Sequence, residues 1–312
     1  MDDRPASDDR PLDAVTGAFG YTGRAIAERL LASGRAVRTL TNHRSDTDPL
    51  AHRIHVAPLA FDDQDALTAS LTGVDTLFNT YWVRFERGAV TFDRAVESSR
   101  TLFSAARSAG VRRIVHVSIV NADESSSLPY FAGKGCVERA LRESGIEFSI
   151  VRPTVICGDR DVLIHNIAWL LRHLPAFGIA GDGTYPIQPV IVDDVARIAL
   201  ETSTRPSGTV VDAVGPETFT FEELVRRIRD EVHGPARIVH LPGWAVLAGS
   251  RVLGGLVGDV ILTADELRGL ERGLLVSDDA PKGMVRLSEW LHEHRDQVGR
   301  RYANELRRHF AA

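Results

Sequence analysis

A doubly wound α/β parallel sheet, carrying a smaller and mostly helical C-terminal region, is the fold class this sequence predicts. Three observations carry that prediction. Short apolar runs alternate with helix-length amphipathic segments through the first half of the chain. Those runs are continuously apolar, as in parallel strands buried on both faces. A glycine-rich turn follows the first run and opens the first helical segment.

The elements follow in order. Ala14-Val15-Thr16 is a strand, and Gly23 to Ser33 a helix with Ile26, Leu30 and Leu31 at helical spacing and Gly34 to end it. Ala36 to Leu40 and Ile54 to Ala60 are the second and third strands, and Asp62-Asp63 cap a helix running to Leu71. Thr76-Leu77-Phe78 is the fourth strand, Val90 to Ala109 a long helix, and Arg113 to Val117 the fifth strand. Pro129 to Ser144 is a helix with proline in its first turn, and Glu147 to Val151 the sixth strand. After Pro153 the rhythm breaks, leaving short strands near Tyr185 to Val192 and Thr209 to Ala213 among helices. The expected organisation is a disordered tail over 1–11, a doubly wound domain over 12–155, and a smaller substrate or cap region over 156–312, partly interwoven with the first.

Composition bounds the function. The chain has 312 residues, 44% hydrophobic and 25% charged, with a net charge of −5, so no electrostatic footprint for nucleic acid is expected. Cys136 and Cys157 form no metal or redox spacing, which suggests a reduced, cytoplasmic protein. The eleven histidines, among them His292, His294 and His309, show no ligand spacing with a third partner, and no metal is predicted. The most apolar stretch, Trp244 to Leu262, is interrupted by Arg251 and Asp259 and loosened by four glycines. No transmembrane span is expected there, and any peripheral membrane or protein contact falls to that segment. The expected assembly is a monomer or homodimer.

The turn reads Thr16-Gly17-Ala18-Phe19-Gly20-Tyr21-Thr22-Gly23. Gly17 permits a tight bend, Gly20 lets backbone approach a pyrophosphate, and Gly23 lets the helix pack close to the strand. The helix start then presents free N–H groups and a positive dipole end to phosphate. Placed after the first strand, this spacing predicts dinucleotide binding through Gly17, Phe19, Gly20, Tyr21 and Gly23. The second strand ends in Thr41-Asn42-His43-Arg44 with no acid before Asp46, and Arg24 adds nearby charge. Asn42 and Arg44 therefore point to NADP, with NAD as the alternative. Asp62, after the third strand, is placed for the adenine edge, for the cap of the next helix, or for both.

Lysine is scarce: Lys134 and Lys282 are the two lysines among 37 basic residues. Lys134 stands four residues after Tyr130 on a helix, so the two share a face. An ammonium beside a phenol favours the phenolate and lowers its pKa, making Tyr130 a candidate acid/base. Ser118, at the end of the fifth strand, faces the ligand crevice of such a sheet and is a candidate donor to a substrate oxygen.

These residues resemble the short-chain dehydrogenase/reductase superfamily in its extended or atypical branch. The likeness rests on Thr16-Gly17-x-x-Gly20-x-x-Gly23, Asp62, Asn79, Ser118, Tyr130-x-x-x-Lys134 and Val151-Arg152-Pro153. It continues in Gly181-Asp182-Gly183, Pro189 to Ala196, and Gly215-Pro216-Glu217 with Thr220 to Leu224. Beyond 240 the similarity thins to the atypical group related to the accessory NAD(P)H-binding subunit of respiratory complex I and to epimerase/dehydratase-like proteins. The resemblance implies a Rossmann fold, an NAD(P) cofactor contacted also by Asn79 and Pro153, and a Ser118–Tyr130–Lys134 site for hydride transfer at a carbonyl or alcohol carbon. Phe19 and Tyr21 make the glycine turn bulkier than the pattern, and the short Ser118–Tyr130 spacing weakens a sugar-nucleotide substrate.

Tyr81, Trp82, Thr154 and Tyr185 are the candidates for a small-molecule substrate, with Cys157, His165 and Gln188 behind them; plain packing explains each equally well. Three functions compete: an NAD(P)-dependent oxidoreductase, an epimerase or dehydratase that retains its cofactor, and a non-catalytic NAD(P)H-binding sensor or assembly protein.

Overall fold

The computed structural model describes residues 10–42 and 47–306. Most of the tail, Arg44 and His309 lie outside the described residues. In the first half the chain runs β1 (Leu12–Thr16), α1 (Tyr21–Ala32), β2 (Ala36–Leu40), β3 (His55–Ala57), α2 (Gln64–Leu71), β4 (Thr76–Asn79), α3 (Phe92–Ser108), β5 (Arg113–Val117), α4 (Pro129–Glu143) and β6 (Glu147–Pro153). It continues through β7 (Ile156–Cys157), α5 (Leu163–His173), β8 (Ala176–Ala180), β9 (Pro186–Ile187), β10 (Val190–Ile191), α6 (Val192–Ser203), β11 (Thr209–Ala213), β12 (Phe219–Thr220) and α7 (Phe221–Glu231). The remainder is β13 (Arg237–Leu241), α8 (Gly243–Val257), α9 (Ala264–Glu271) and α10 (Leu287–His294).

The main sheet is parallel throughout and ordered β11-β6-β5-β4-β1-β2-β3. Strand order reverses between β1 and β4, which opens a crevice at their C-terminal ends. The doubly wound fold is therefore present, with one difference in its reach. The seventh strand, β11, comes from beyond Pro153 and pairs Thr209 to Ser149 through Ala213 to Pro153. Helix α6, which leads into it, packs with α1, so the two regions interleave at the sheet edge.

Each sheet face has its own core. Leu67, Leu77, Leu102, Ile114 and Leu141 fill the side covered by α2, α3 and α4. Val15, Ile26, Leu30, Phe78, Val115 and Ile198 fill the side covered by α1 and α6. A third cluster, including Ile164, Leu171, Ile179, Leu224 and Trp290, holds the C-terminal region together. Truncating one of these fully buried leucines to alanine would cost about 2–5 kcal/mol.

The cap of α2 is Asp63, whose side chain accepts the Ala66 N–H at 2.9 Å. Asp62 instead points outward and pairs with Arg94 at 3.1 Å. The apolar stretch after Trp244 folds as α8, of which only Gly254 is buried. Among the described residues, no helix is long and apolar enough to cross a membrane, and no group of three or more His, Cys, Asp and Glu is arranged to hold a metal.

Candidate cofactor and active site

The crevice begins at the glycine turn. Gly17 has a φ of +65°, a conformation that strains any residue with a Cβ. The Gly20 N–H donates to Gly17 O at 2.8 Å and closes the turn. A Cβ on Gly23 would lie 2.4 Å from that same oxygen, so only glycine lets α1 start this close to β1. The first turn of α1 has no side-chain cap and no acid. Its N–H groups and positive dipole end are thus left for an anion.

The strand ends beside the turn are locked by buried polar groups. Thr16 Oγ1 donates to Asn79 Oδ1 at 3.2 Å and accepts the Thr80 N–H at 2.7 Å. Asn79 also accepts the Tyr81 N–H at 3.1 Å, and its amide nitrogen lies 3.1 Å from His116 Nδ1. His116 is fully buried, and burial together with nearby Lys134 pushes its pKa well down, so it is neutral. Asn79 has its amide taken up by protein on both sides and holds the strand ends in register.

Ser118, Tyr130 and Lys134 all border one cavity that continues from Phe19, Gly20 and Tyr21 past Pro153 and Thr154. Ser118 follows β5 and is 4% exposed, and its hydroxyl has no hydrogen-bond partner; the same is true of the Tyr21 hydroxyl and the Trp82 indole N–H. Leaving such a group unpaired costs about 1–3 kcal/mol, which a ligand's polar atoms would recover. Lys134 Nζ donates to Val117 O at 3.0 Å and sits 4.9 Å from the centre of the Trp82 ring. That ring approaches α4 closely because position 133 is glycine; a Cβ there would come 2.8 Å from its Cη2. Tyr130 meets the edge of the same ring at 6.0 Å between centroids and also packs against Phe92 and Phe131.

This arrangement corrects the expected electrostatics. The sequence predicts a phenol lowered by its lysine, but the Tyr130 pKa is raised, first by burial and then by the Glu266 carboxylate, with Arg84 opposing. Trp82 packs against both side chains, and the ammonium is turned to the end of β5. Lys134 is itself lowered to about 7 by burial, against the pull of Glu138. Glu138 is engaged by Arg152 at 2.8 and 2.5 Å.

The other candidates separate. Trp82, Thr154 and Tyr185 line the cavity, whereas Tyr81 lies outside it and packs against Phe61 in a tilted pair, 4.6 Å between ring centroids. Thr154 Oγ1 donates to the Gln188 carbonyl, and Gln188 is held by Gly215 and Ser277. Asn42 ties β2 to the segment after β3 through Leu59, at 2.9 and 3.2 Å. Arg24 is committed to Asp48 and to Glu28, so it adds no free charge for a 2′-phosphate. Sequence reasoning missed Arg84, Glu266 and Glu305, which meet on the far wall: Arg84 bonds Glu266 at 2.7 Å and lies 3.7 Å from Glu305. One signal was legible, since Thr263-x-x-Glu266 is a capping box and both of its bonds form at the start of α9.

The glycine cradle, the uncapped helix start and the unpaired Ser118 and Tyr21 hydroxyls fit a dinucleotide lying across the crevice. Comparisons agree. Residues 17–162 match the family model described as NAD(P)H-binding. The chain is 27% identical over 289 residues to the Arabidopsis thaliana protein named NADH dehydrogenase [ubiquinone] 1 alpha subcomplex subunit 9, mitochondrial, covering 86% of this chain and 71% of the relative. It is 28% identical over 235 residues to the Streptomyces griseus (4-alkanoyl-5-oxo-2,5-dihydrofuran-3-yl)methyl phosphate reductase, covering 73% and 76%. Among solved structures, the Citrobacter sp. triphenylmethane reductase complexed with NADP(H) superposes with a TM-score of 0.72 at 18% identity, over 91% of this chain and 99% of that one.

Proposed function

The chain belongs to the extended, short-chain-dehydrogenase/reductase-like family of NAD(P)-binding proteins, and from that premise we propose that it is an NADPH-dependent carbonyl reductase. The observation that carries the reading is the meeting of Ser118, Tyr130 and Lys134 on one cavity that opens from the Gly20–Tyr21 turn. A relative named as a reductase supports it.

The glycine turn and the start of α1 would hold the pyrophosphate, and Lys134 the hydroxyls of the nicotinamide ribose. Bound NADPH would supply a hydride to a carbonyl carbon and be oxidised to NADP+. Ser118 donates a hydrogen bond to the carbonyl oxygen and fixes its position. As the C=O π electrons pass to that oxygen, Tyr130 gives it a proton, and the phenolate regains one from solvent. A raised phenol suits this direction, because Tyr130 is protonated throughout the neutral range and meets the substrate as an acid. The preference for NADP rests on Arg44 and the absence of an acid at the end of β2.

Incubation with NADPH and a panel of ketones and aldehydes, read by loss of the dihydronicotinamide absorbance, tests the reading. Oxidation of NADPH that depends on the carbonyl compound is expected, with NADPH binding tighter than NADH when both are titrated by tryptophan quenching. Cofactor that copurifies with the protein and takes part in no net oxidation would instead favour the epimerase or dehydratase function.

A further inference from the structure

The cavity extends well beyond the reacting groups, and its far half differs in chemistry from its near half. Its volume is about 1240 Å3, above the about 300–1,000 Å3 of an ordinary small-molecule pocket. The far walls come from four elements and are aliphatic or aromatic: Ile167 and Leu170 on α5, Phe177 on β8, Val246 and Leu253 on α8, and Leu270 on α9. The charged groups at that end are satisfied by one another. Arg84 is held by Glu266 and Glu305, and Asp265 pairs with Arg268 at 3.1 Å. A sugar nucleotide's diphosphate would meet acids and occupied arginine there.

Helix α8 both walls and opens this half. Val252 and Leu256 line the cavity yet are 69% and 79% exposed, so they form an apolar rim at its mouth. Gly249 on the same helix also lines the cavity and is itself exposed, and a Cβ built on it meets nothing within 4 Å. The same cavity is thus bordered by Tyr130 at one end and, beside α8, by open space at Gly249 and the rim.

We propose that the substrate is a carbonyl compound bearing a long apolar chain, with its oxygen at Ser118 and Tyr130 and its chain lying along α8 to the Val252–Leu256 rim. The carbonyl end rests on the reductase reading; the chain-binding channel does not. In the reaction the ketone gains hydride at carbon and a proton at oxygen to become a secondary alcohol, while NADPH becomes NADP+.

The test compares butan-2-one, octan-2-one and dodecan-2-one on the NADPH-loaded protein, with affinity read by calorimetry and turnover by NADPH oxidation. Affinity should climb about fourfold per added methylene. Gly249→Trp, which fills the open space, should cancel the advantage of dodecan-2-one and lower its kcat/KM far more than that of butan-2-one. Gly249→Ala should behave as wild type. Affinity that is flat with chain length, or an equal loss for all three ketones in Gly249→Trp, would overturn the channel. Binding that climbs with chain length without any NADPH oxidation would sustain the channel and reject the reductase reading.

Discussion

At its cofactor end the cavity is bounded by strand ends and a helix start whose polar atoms are fixed: Gly17 closes on Gly20, and Thr16, Asn79 and His116 bond one another inside the sheet. At its far end it is bounded by α8, which buries a single residue and carries Trp244, Val252 and Leu256 more than two-thirds exposed. The near end presents unpaired hydroxyls in a rigid frame, which suits a ligand whose polar groups must be placed to within tenths of an ångström. The far end offers apolar surface whose charged neighbours are taken up by one another, which suits a ligand recognised by the area it buries. On the proposed reading, α8 can be altered to change the substrate without disturbing the Ser118–Tyr130 end.

Glycine substitution separates the two ends most sharply. Gly23→Val drives a side chain into Gly17 O, 2.4 Å from the nearest Cβ position, and should cost about 3 kcal/mol or more with loss of cofactor binding. Gly249→Ala enters open space on a helix and should be neutral or stabilising by up to about 1 kcal/mol. Urea midpoints of the two variants give the comparison, and similar losses at both would erase the distinction.

The next effect is pH-dependent and belongs to the near end. In the folded state Lys134 titrates at about 7, below the roughly 10.4 of a free lysine. Between these values the unfolded chain binds the extra proton, so this residue makes stability rise with pH across that window. Below about 7 the full cost of the buried ammonium is present. Lys134→Met should therefore exceed wild type in stability most at about pH 6, and the difference should shrink by about pH 10. A difference that is constant with pH would show that Lys134 is not a buried, depressed amine.

The smallest effect comes from the charged cluster of the far wall. Arg84→Met leaves Glu266 and Glu305 without their cation and removes the charge that opposes the rise of the Tyr130 phenol. Turnover should fall less than about tenfold, with the alkaline limb of the pH–rate profile moved upward. A downward move would mean that Tyr130 does not feel this pair.

The fold was legible because buried parallel strands are rich in β-branched and apolar residues: Ala36–Leu40 and Arg113–Val117 agree with the structure residue for residue, although they carry Arg38, Arg113 and His116. The strand Thr209–Ala213 was visible as an element, but its place beside β6 was not, since pairing partners leave no local signal. In the site, glycine spacing and the Tyr130–Lys134 interval could be read from chain geometry alone. The sign of the Tyr130 shift could not, because it depends on Trp82 lying against Gly133 and on Glu266 arriving from a helix more than a hundred residues away. Spacing along one helix reports which side chains share a face and says nothing of what the rest of the chain packs against them.

The proposed function puts the proton transfer on Tyr130, in a cofactor site already built around it. Tyr130→Phe tests it most directly, with NADPH affinity and carbonyl-dependent NADPH oxidation measured on the same preparation. Turnover should fall by about 10²–10⁴-fold while the Kd for NADPH stays within about twofold. Turnover that survives the substitution would contradict it.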